Sequence, residues 1–358
     1  MDNPVSLAIV GLMAKDCDIL IIGGGLNGPA LALACAQNGL RVTLVDALSL
    51  ARRKNPAFDG RAYALALATT RMLAAIGIWD KVKSNAQPIL DIIASDGQPG
   101  KGAAPWFLHF DHAEIEEGPM GHMLEDRYLR NALLDAVAAT KSITQISGHT
   151  VVAQATDVIG ATVTLDDGTI LAARLLVGCD GRDSTTAKRA GISRTGWGYD
   201  QTALVCAIKH DLPHNGIAHQ FFTPSGPLGI LPLPGNRCSI VWAETTTRAA
   251  AINALPDDEY LAELHPVFGD FLGKIALEGD RFSYPLKLTV ANSFIAPRLA
   301  LVGDAAHGLH PLAGQGLNMG LKDVAALAEV LIDANRRGED LASPLVLARY
   351  QQWRRFDT

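Results

Sequence analysis

The first strong element, CDILIIGGG from Cys17, is apolar apart from Asp18, which predicts a strand buried on both faces, as in a parallel sheet. LNGPALALACAQNG (26–39) follows as a small-residue helix, with Pro29 in its first turn, where a missing N–H is tolerated, and Gly39 as its stop. RVTLVDA (41–47) is a second strand, so this segment predicts a right-handed βαβ unit. Residues 61–83 predict a helix, ending around Trp79. Residues 123–139 predict another, with Leu129, Leu133 and Val137 on one face and Glu125 and Asp126 capping its start. Between them, Pro88 to Phe110 is rich in Gly and Pro, with short β-like runs. HTVVAQA, ATVTLDDGT and ARLLVGCDG predict strands, the last two joined by an Asp166-Asp167-Gly168 turn. From about Gly196 to Tyr284, runs such as TALVCAIKH and RCSIVWAET are separated by Pro/Gly turns, which predicts an antiparallel sheet. After Leu286 the α/β texture returns. RLALVGDAA is a strand, and Gly316–Asn335 a helix with Leu317, Leu321, Val324, Ala328 and Leu331 on one stripe.

The chain is expected to be α/β. Its 358 residues exceed the ~250–300 that one core usually supports. The changes of texture predict a Rossmann-like domain in three pieces (17–85, 112–195 and 286–358), interrupted by a substrate-binding β-sheet domain (86–111 and 196–285). Residues 1–16 are read as an N-terminal extension. Val5–Ala14 is apolar but lacks the basic start of a signal peptide. Charged residues make up 19% of the chain and hydrophobic ones 48%, which excludes disorder. A net charge of −6 with no basic run excludes a nucleic-acid partner. Five scattered cysteines (Cys17, Cys35, Cys179, Cys206 and Cys238) have no metal-ligand spacing and read as reduced thiols of a cytoplasmic protein. No apolar run reaches the ~18 residues of a membrane span, and no metal site is expected.

Three motifs carry chemistry. Gly23-Gly24-Gly25-Leu26-Asn27-Gly28 follows a strand and opens a helix, the context of a dinucleotide fingerprint. Its glycines allow a tight turn, close approach of a pyrophosphate and close helix–strand packing. The helix start offers free N–H groups to phosphate. Asp46 ends the second strand, near the ~20-residue spacing at which an acid accepts ribose hydrogen bonds. The second motif is LALVGDAAHGLHPLAGQGLNMG (299–320). Gly303-Asp304 ends a strand, and Gly314-Gln315-Gly316 opens a second helix. Two nucleotide-facing helix starts so far apart exceed what a plain dehydrogenase needs and suit a long FAD lying between them. The third motif, LLVGCDGRDSTTAKRAGI (175–192), places Asp180-Gly181 after a strand. Read alone it is equally well an ordinary strand-end turn.

In this order the motifs resemble those of the class A FAD-dependent monooxygenases of p-hydroxybenzoate hydroxylase-like fold, and most closely the ubiquinone-biosynthesis hydroxylase family. GRAYALALATTRMLAAIGIWD (60–80), FTPSGPLGILPLP (222–234) and RLALVGDAAHGLHPLAGQGLNMGLKDVAALAEVL (298–331) carry the resemblance, which runs from Cys17 to the last residue. It implies an FAD-binding domain of the glutathione reductase/p-hydroxybenzoate hydroxylase type with an inserted antiparallel sheet. It implies that Gly23, Gly25, Leu26, Asn27, Gly28 and Asp46 hold the ADP half of FAD. Arg61 and Arg127 would lie on the FAD side. Gly303 and Asp304 would meet the ribityl chain, and Pro311, Gly314, Gln315, Gly316, Leu317 and Asn318 the flavin edge. Asp180 would serve both FAD and NAD(P)H. The family usually has an arginine where this chain has Ala187, and a further C-terminal helical stretch beyond the point matching Thr358.

The function implied is hydroxylation of the aromatic ring of a hydrophobic polyprenylated phenol in ubiquinone biosynthesis. It would use NADH or NADPH and O₂ and proceed through a flavin C4a-hydroperoxide, in the cytoplasm or peripherally at the inner membrane or in a biosynthetic complex. Phe221, Phe222, Leu228, Leu231, Pro311 and Leu312 are candidates for an apolar substrate pocket, although ordinary sheet core explains each equally well. His307 and His310 flank the cofactor motif, where packing is the simpler reading, so no general base is named. Two alternatives stay open: an isoprenoid reductase of the same fold, and a non-catalytic flavin-binding subunit.

Overall fold

The computed structural model describes residues 16–98, 102–114, 117–310 and 314–358. Pro311 and Leu312 lie outside the described residues. Among the described residues, three sheets organise the chain. The first contains β1 (Cys17–Ile22), β2 (Val42–Asp46), β8 (Ile143–Ser147), β11 (Ile170–Gly178), β18 (Leu299–Leu301) and β17 (Ile295–Ala296), in the order β17-β18-β11-β1-β2-β8. β1 is parallel to both β2 and β11, and β18 extends β11 in parallel. β9 (Val151–Thr156) and β10 (Ala161–Leu165) fold back antiparallel on β11. One core joins this sheet to α1 (Asn27–Ala36), α5 (Asp126–Ala139), α9 (Gln315–Arg336) and α10 (Pro344–Asp357). After part-exposed Asp18, the apolar run Ile19–Ile22 has no polar alternation because it is covered on both sides.

The second sheet runs β19-β16-β12-β15-β14-β13-β5-β6. Its members are β5 (Asp91–Gln98), β6 (Gly102–Asp111), β12 (Arg194–His210), β13 (Ile217–Thr223), β14 (Gly226–Leu233), β15 (Arg237–Thr245), β16 (Ile275–Ala291) and β19 (His307–Gly308). Pairing is antiparallel except between β13 and β5. Strand alternation splits its side chains between two environments. Leu204, Cys206 and Ile208 of β12 pack under α7 (Thr246–Asn253) and α8 (Asp257–Phe268). Ala203, Val205 and Ala207 turn the other way. That second face packs on a small sheet of β3 (Ala62–Leu65), β7 (Gly121–Glu125) and β4 (Gln87–Ile89), through Ala62, Ala64, Met123 and Ile89. The remaining helices are α2 (Leu50–Arg53), α3 (Leu67–Ala75), α4 (Trp79–Val82) and α6 (Thr185–Arg189).

Several expectations are corrected. Residues 61–83 are not one helix. Ala62–Leu65 is drawn into β3 by pairing with β7, and α3 and α4 follow separately. Residues 123–125 belong to β7 rather than to the helix that follows. Residues 91–98 and 102–111 form two long strands at one end of the second sheet, with β6 at its edge, rather than short runs. The expected boundaries at 195/196 and 285/286 cut through β12 and β16, and 87–89 joins the small sheet. Both cut strands are 17 residues long and continue past the point where composition changes.

Candidate active site

The turn after β1 is shaped by close packing. A Cβ on Gly28 would lie 1.9 Å from the Gly23 carbonyl oxygen, and one on Gly23 would lie 2.2 Å from the Cys179 carbonyl oxygen. Helix and strands therefore approach as only glycine permits. Gly25 faces open space instead. No side chain caps α1 at Leu26, and no acid occupies its first turn. The helix start thus keeps its affinity for an anion.

Asp46 stands beside this turn. One of its oxygens accepts the Gly24 N–H at 2.5 Å and the other the Leu48 N–H at 2.7 Å. Arg53, which the sequence reading missed, is buried behind it. Its guanidinium donates to the Gly24 carbonyl at 2.9 Å and to Ser147 Oγ at 2.8 Å, and lies 3.6 Å from Asp46. Burial pushes the Arg53 pKa down, and Asp46 opposes that shift. The available sequence signal was the basic pair Arg52-Arg53 closely following an acid-ended strand.

The second turn is held from beneath. Gly303 has φ +64° and donates its N–H to Asp323 Oδ2 at 2.8 Å. The same oxygen lies 2.6 Å from His307 Nε2, and Asp323 Oδ1 accepts Arg354 Nε at 2.6 Å. Asp323, His307 and Arg354 are all fully buried. Tyr350 adds a bond to the Leu301 carbonyl at 2.6 Å. His307 is thus a packed member of a structural hub, as the simpler reading held. From above, Arg194 donates to the carbonyls of Asp304 and Ala305 and to Thr289. The Asp304 carboxylate stays part-exposed, with Arg182 at 3.7 Å. Desolvation raises its pKa, against the pull of Arg182, His307 and Arg194.

The two turns meet at Asn27. A Cβ on Gly303 would lie 2.2 Å, and one on Gly320 2.4 Å, from Asn27 Nδ2. The first turn of α1 therefore inserts between the Gly303 turn and α9. Asn27 Oδ1 is buried with no hydrogen-bond partner.

At the start of α9, Gly314 has φ +65°, and the helix has neither a side-chain cap nor an acid in its first turn. Gln315 is exposed, Gly316 faces open space, and Leu317 packs on the core. Asn318 corrects its expected role. It is buried, accepts from Ala66 N–H and Thr69 Oγ1, and donates to the Ala64 and Gly314 carbonyls. All of its amide capacity is spent tying α9 to β3 and α3, so it positions the helix rather than touching a ligand. Asp180 is engaged in the same way, by Ser184 and Thr186 at the start of α6.

Glu125 and Asp126 do not cap α5 with their side chains. Buried Glu125 accepts from Arg127 at 2.7 Å and Arg237 at 2.8 Å. Asp126 accepts two bonds from Arg130 and one from Tyr63, with Arg61 3.7 Å away. Arg61 is also held by Asp59 at 2.6 Å. Arg127 reaches the Pro56 carbonyl and lies over the rings of Phe58 and Tyr128.

Phe221 and Leu228 are corrected as candidates for a substrate pocket on the face of the sheet that meets the small sheet. Strand parity turns both to the helix-covered face, into the core with Trp242 and Tyr260. Leu231 lies on the opposite face, with the small sheet, and Phe222 is half exposed. His310 packs edge-on against Tyr199 at 5.4 Å.

The donor set fits FAD. It combines two uncapped helix starts, an acid at the end of β2, open space over Gly25 and Gly316, and an orphaned buried amide oxygen at the junction of the turns. The family model described as FAD binding domain matches residues 16–356. A Rhodospirillum rubrum protein named ubiquinone hydroxylase UbiL is 45% identical over 349 residues, spanning 98% of this chain and 80% of the relative. The Escherichia coli 3-demethoxyubiquinol 3-hydroxylase is 34% identical, spanning 95% of this chain and 86% of the relative. Among solved structures, p-nitrophenol 4-monooxygenase PnpA of Pseudomonas putida matches with a TM-score of 0.78 at 22% identity, covering 96% of this chain and 85% of that one.

Proposed function

The chain belongs to the FAD-binding family that includes these ubiquinone hydroxylases, and from that premise we propose that it hydroxylates the aromatic ring of a polyprenylated phenol in ubiquinone biosynthesis, using O₂ and NADH or NADPH. The observation that carries this reading is the insertion of Asn27 between Gly303 and Gly320, which joins two cofactor-type turns into one continuous cradle.

In this proposal the N–H groups at the start of α1 bind the pyrophosphate, and Asp46 turns from Gly24 to the ribose hydroxyls, with Arg53 keeping it oriented. Asp304 accepts from the ribityl chain, and the start of α9 faces the electron-rich edge of the ring system. FAD, when bound, supplies the electron transfer and oxygen activation. Val205, Val241 and Leu231 offer an apolar wall that would exclude water over the reacting ring. We divide the chain into an FAD-binding part around the first sheet and a substrate part around the second, with boundaries near Arg194 and Ala291. Among the described residues no helix is long and apolar enough to cross a membrane. Exposed Leu108 and Phe110 on edge strand β6 support peripheral contact with the membrane that holds such a substrate.

The test is to purify the protein, titrate it with FAD, and follow O₂ uptake with NADH and NADPH in the presence of a prenylated phenol. Substrate-stimulated uptake with an oxygen-labelled product is expected. Flavin reduction with no O₂ consumed would favour a reductase, and failure to retain FAD would remove the proposal.

A further inference from the structure

A cavity lies on the helix-covered face of the large sheet, where the cofactor turns do not reach. Its volume is about 320 Å³, in the range of small-molecule sites. Register builds it. Phe221 of β13 pairs with Ser95 of β5, and Ser95 pairs with Phe107 of β6, so three neighbouring strands point one row of side chains the same way. His219 stands two positions along β13 on that face. Phe268 ends α8, and the chain turns at Gly269 (φ +88°) to bring Phe271 back over the row. The Phe271 ring stacks on Phe268 at 5.2 Å and tilts against His219 at 4.7 Å.

Two polar groups interrupt these aromatic walls. Ser95 is 5% exposed, and its hydroxyl has no hydrogen-bond partner. Leaving such a group unpaired is costly, and native structures rarely do so without a reason. His219 has ring contacts but no hydrogen bond to its nitrogens among the described residues. Burial lowers its pKa to about 4, so the ring is neutral at pH 7 and can donate or accept. Among the described residues no lysine or arginine lines the cavity, and the one carboxylate, Asp270, stands in solvent beside His265. Nothing here attracts an anion. Phe107 and Phe271 at the mouth stay part-exposed, an apolar cost that an occupant would relieve.

We propose that this cavity is a binding site for a neutral single-ring aromatic molecule carrying one hydroxyl or carbonyl group. Its ring would lie against Phe221 and Phe271, and its oxygen would meet Ser95 Oγ and a ring nitrogen of His219. The site is separate from the cofactor cradle and does not depend on the function proposed above.

The test uses the FAD-loaded protein and 4-fluorophenol, followed by fluorine NMR, with fluorobenzene as the oxygen-free comparison. Flavin absorbance is recorded in parallel, so that binding beside the cofactor is seen separately. A saturable 4-fluorophenol phase that leaves the flavin spectrum unmoved is expected. Ser95→Ala should weaken that phase about tenfold without changing fluorobenzene binding, as loss of one buried hydrogen bond would. Ala104→Phe, which fills the cavity, should abolish both. Phe107→Ala, at a position already 57% exposed and so safe for folding, should weaken both. The proposal is overturned if no such phase exists, if the only phase moves the flavin spectrum, or if binding survives both Ala104→Phe and Phe107→Ala.

Discussion

Beneath the Gly303 turn, position is fixed by polar groups that satisfy one another; under α7 and α8 it is fixed by volume. In the first region a single carboxylate, Asp323, serves a backbone N–H, a histidine and an arginine, all out of water. In the second, Leu204, Ile208, Ile240, Trp242 and Tyr260 fill space, and few directional bonds are made. A polar hub fails as a unit when one member is lost, because its partners remain buried and unpaired. An apolar wall fails in proportion to the volume removed and passes little of the damage elsewhere.

The sharpest break is Asp323→Ala. It strands His307 and the Nε of Arg354, which keeps Asp357, and a loss of about 3–5 kcal/mol in urea unfolding is expected, with FAD affinity falling as the turn loosens. Ile240→Ala should cost about 2–5 kcal/mol by the same measurement, yet leave FAD affinity unchanged. If Ile240→Ala weakens FAD as much as Asp323→Ala does, the contrast between the regions is lost. Asn318→Ala orphans the Ala66 N–H and Thr69 hydroxyl, at about 1–3 kcal/mol, and should shift FAD affinity with it.

His219 supplies a pH test on the apolar side. Its folded pKa, about 4, lies below the ordinary 6.5, so the unfolded chain binds more protons between those values. Stability should be fully present above pH ~6.5 and fall as the pH drops toward ~4. His219→Phe should flatten that slope, by on the order of 1–2 kcal/mol at pH 5, read from melting curves. The smallest effect is expected at Phe222, where Phe222→Ala should change stability by less than about 0.5 kcal/mol.

The same contrast explains what could be read from the sequence. The Gly23–Gly28 turn, Asp46 and the Gly303-Asp304 turn were legible because their chemistry demands particular residues at short, fixed spacing. Asp323 and Arg354 were not. Each is one polar residue in a helix, and their meeting depends on how α9 packs against α10. Asn318 sat in a recognised motif, but only burial reveals that its amide is already used by Ala64, Ala66, Thr69 and Gly314. For Phe221 and Leu228, alternation told which residues share a face but not which face the helices cover. β12 and β16 run through both textures, so composition placed the boundaries inside strands.

The central claim is that turns at Gly23–Gly28 and Gly303–Asp304 hold opposite ends of one FAD. The most direct measurement is calorimetric titration of wild type, Asp46→Ala and Asp304→Ala with FAD, ADP and riboflavin. The expected result is that Asp46→Ala weakens FAD and ADP about tenfold or more and spares riboflavin, while Asp304→Ala weakens FAD and riboflavin and spares ADP. FAD binding that is indifferent to Asp304→Ala, or weakened by both variants with no such split between the half-ligands, would contradict it.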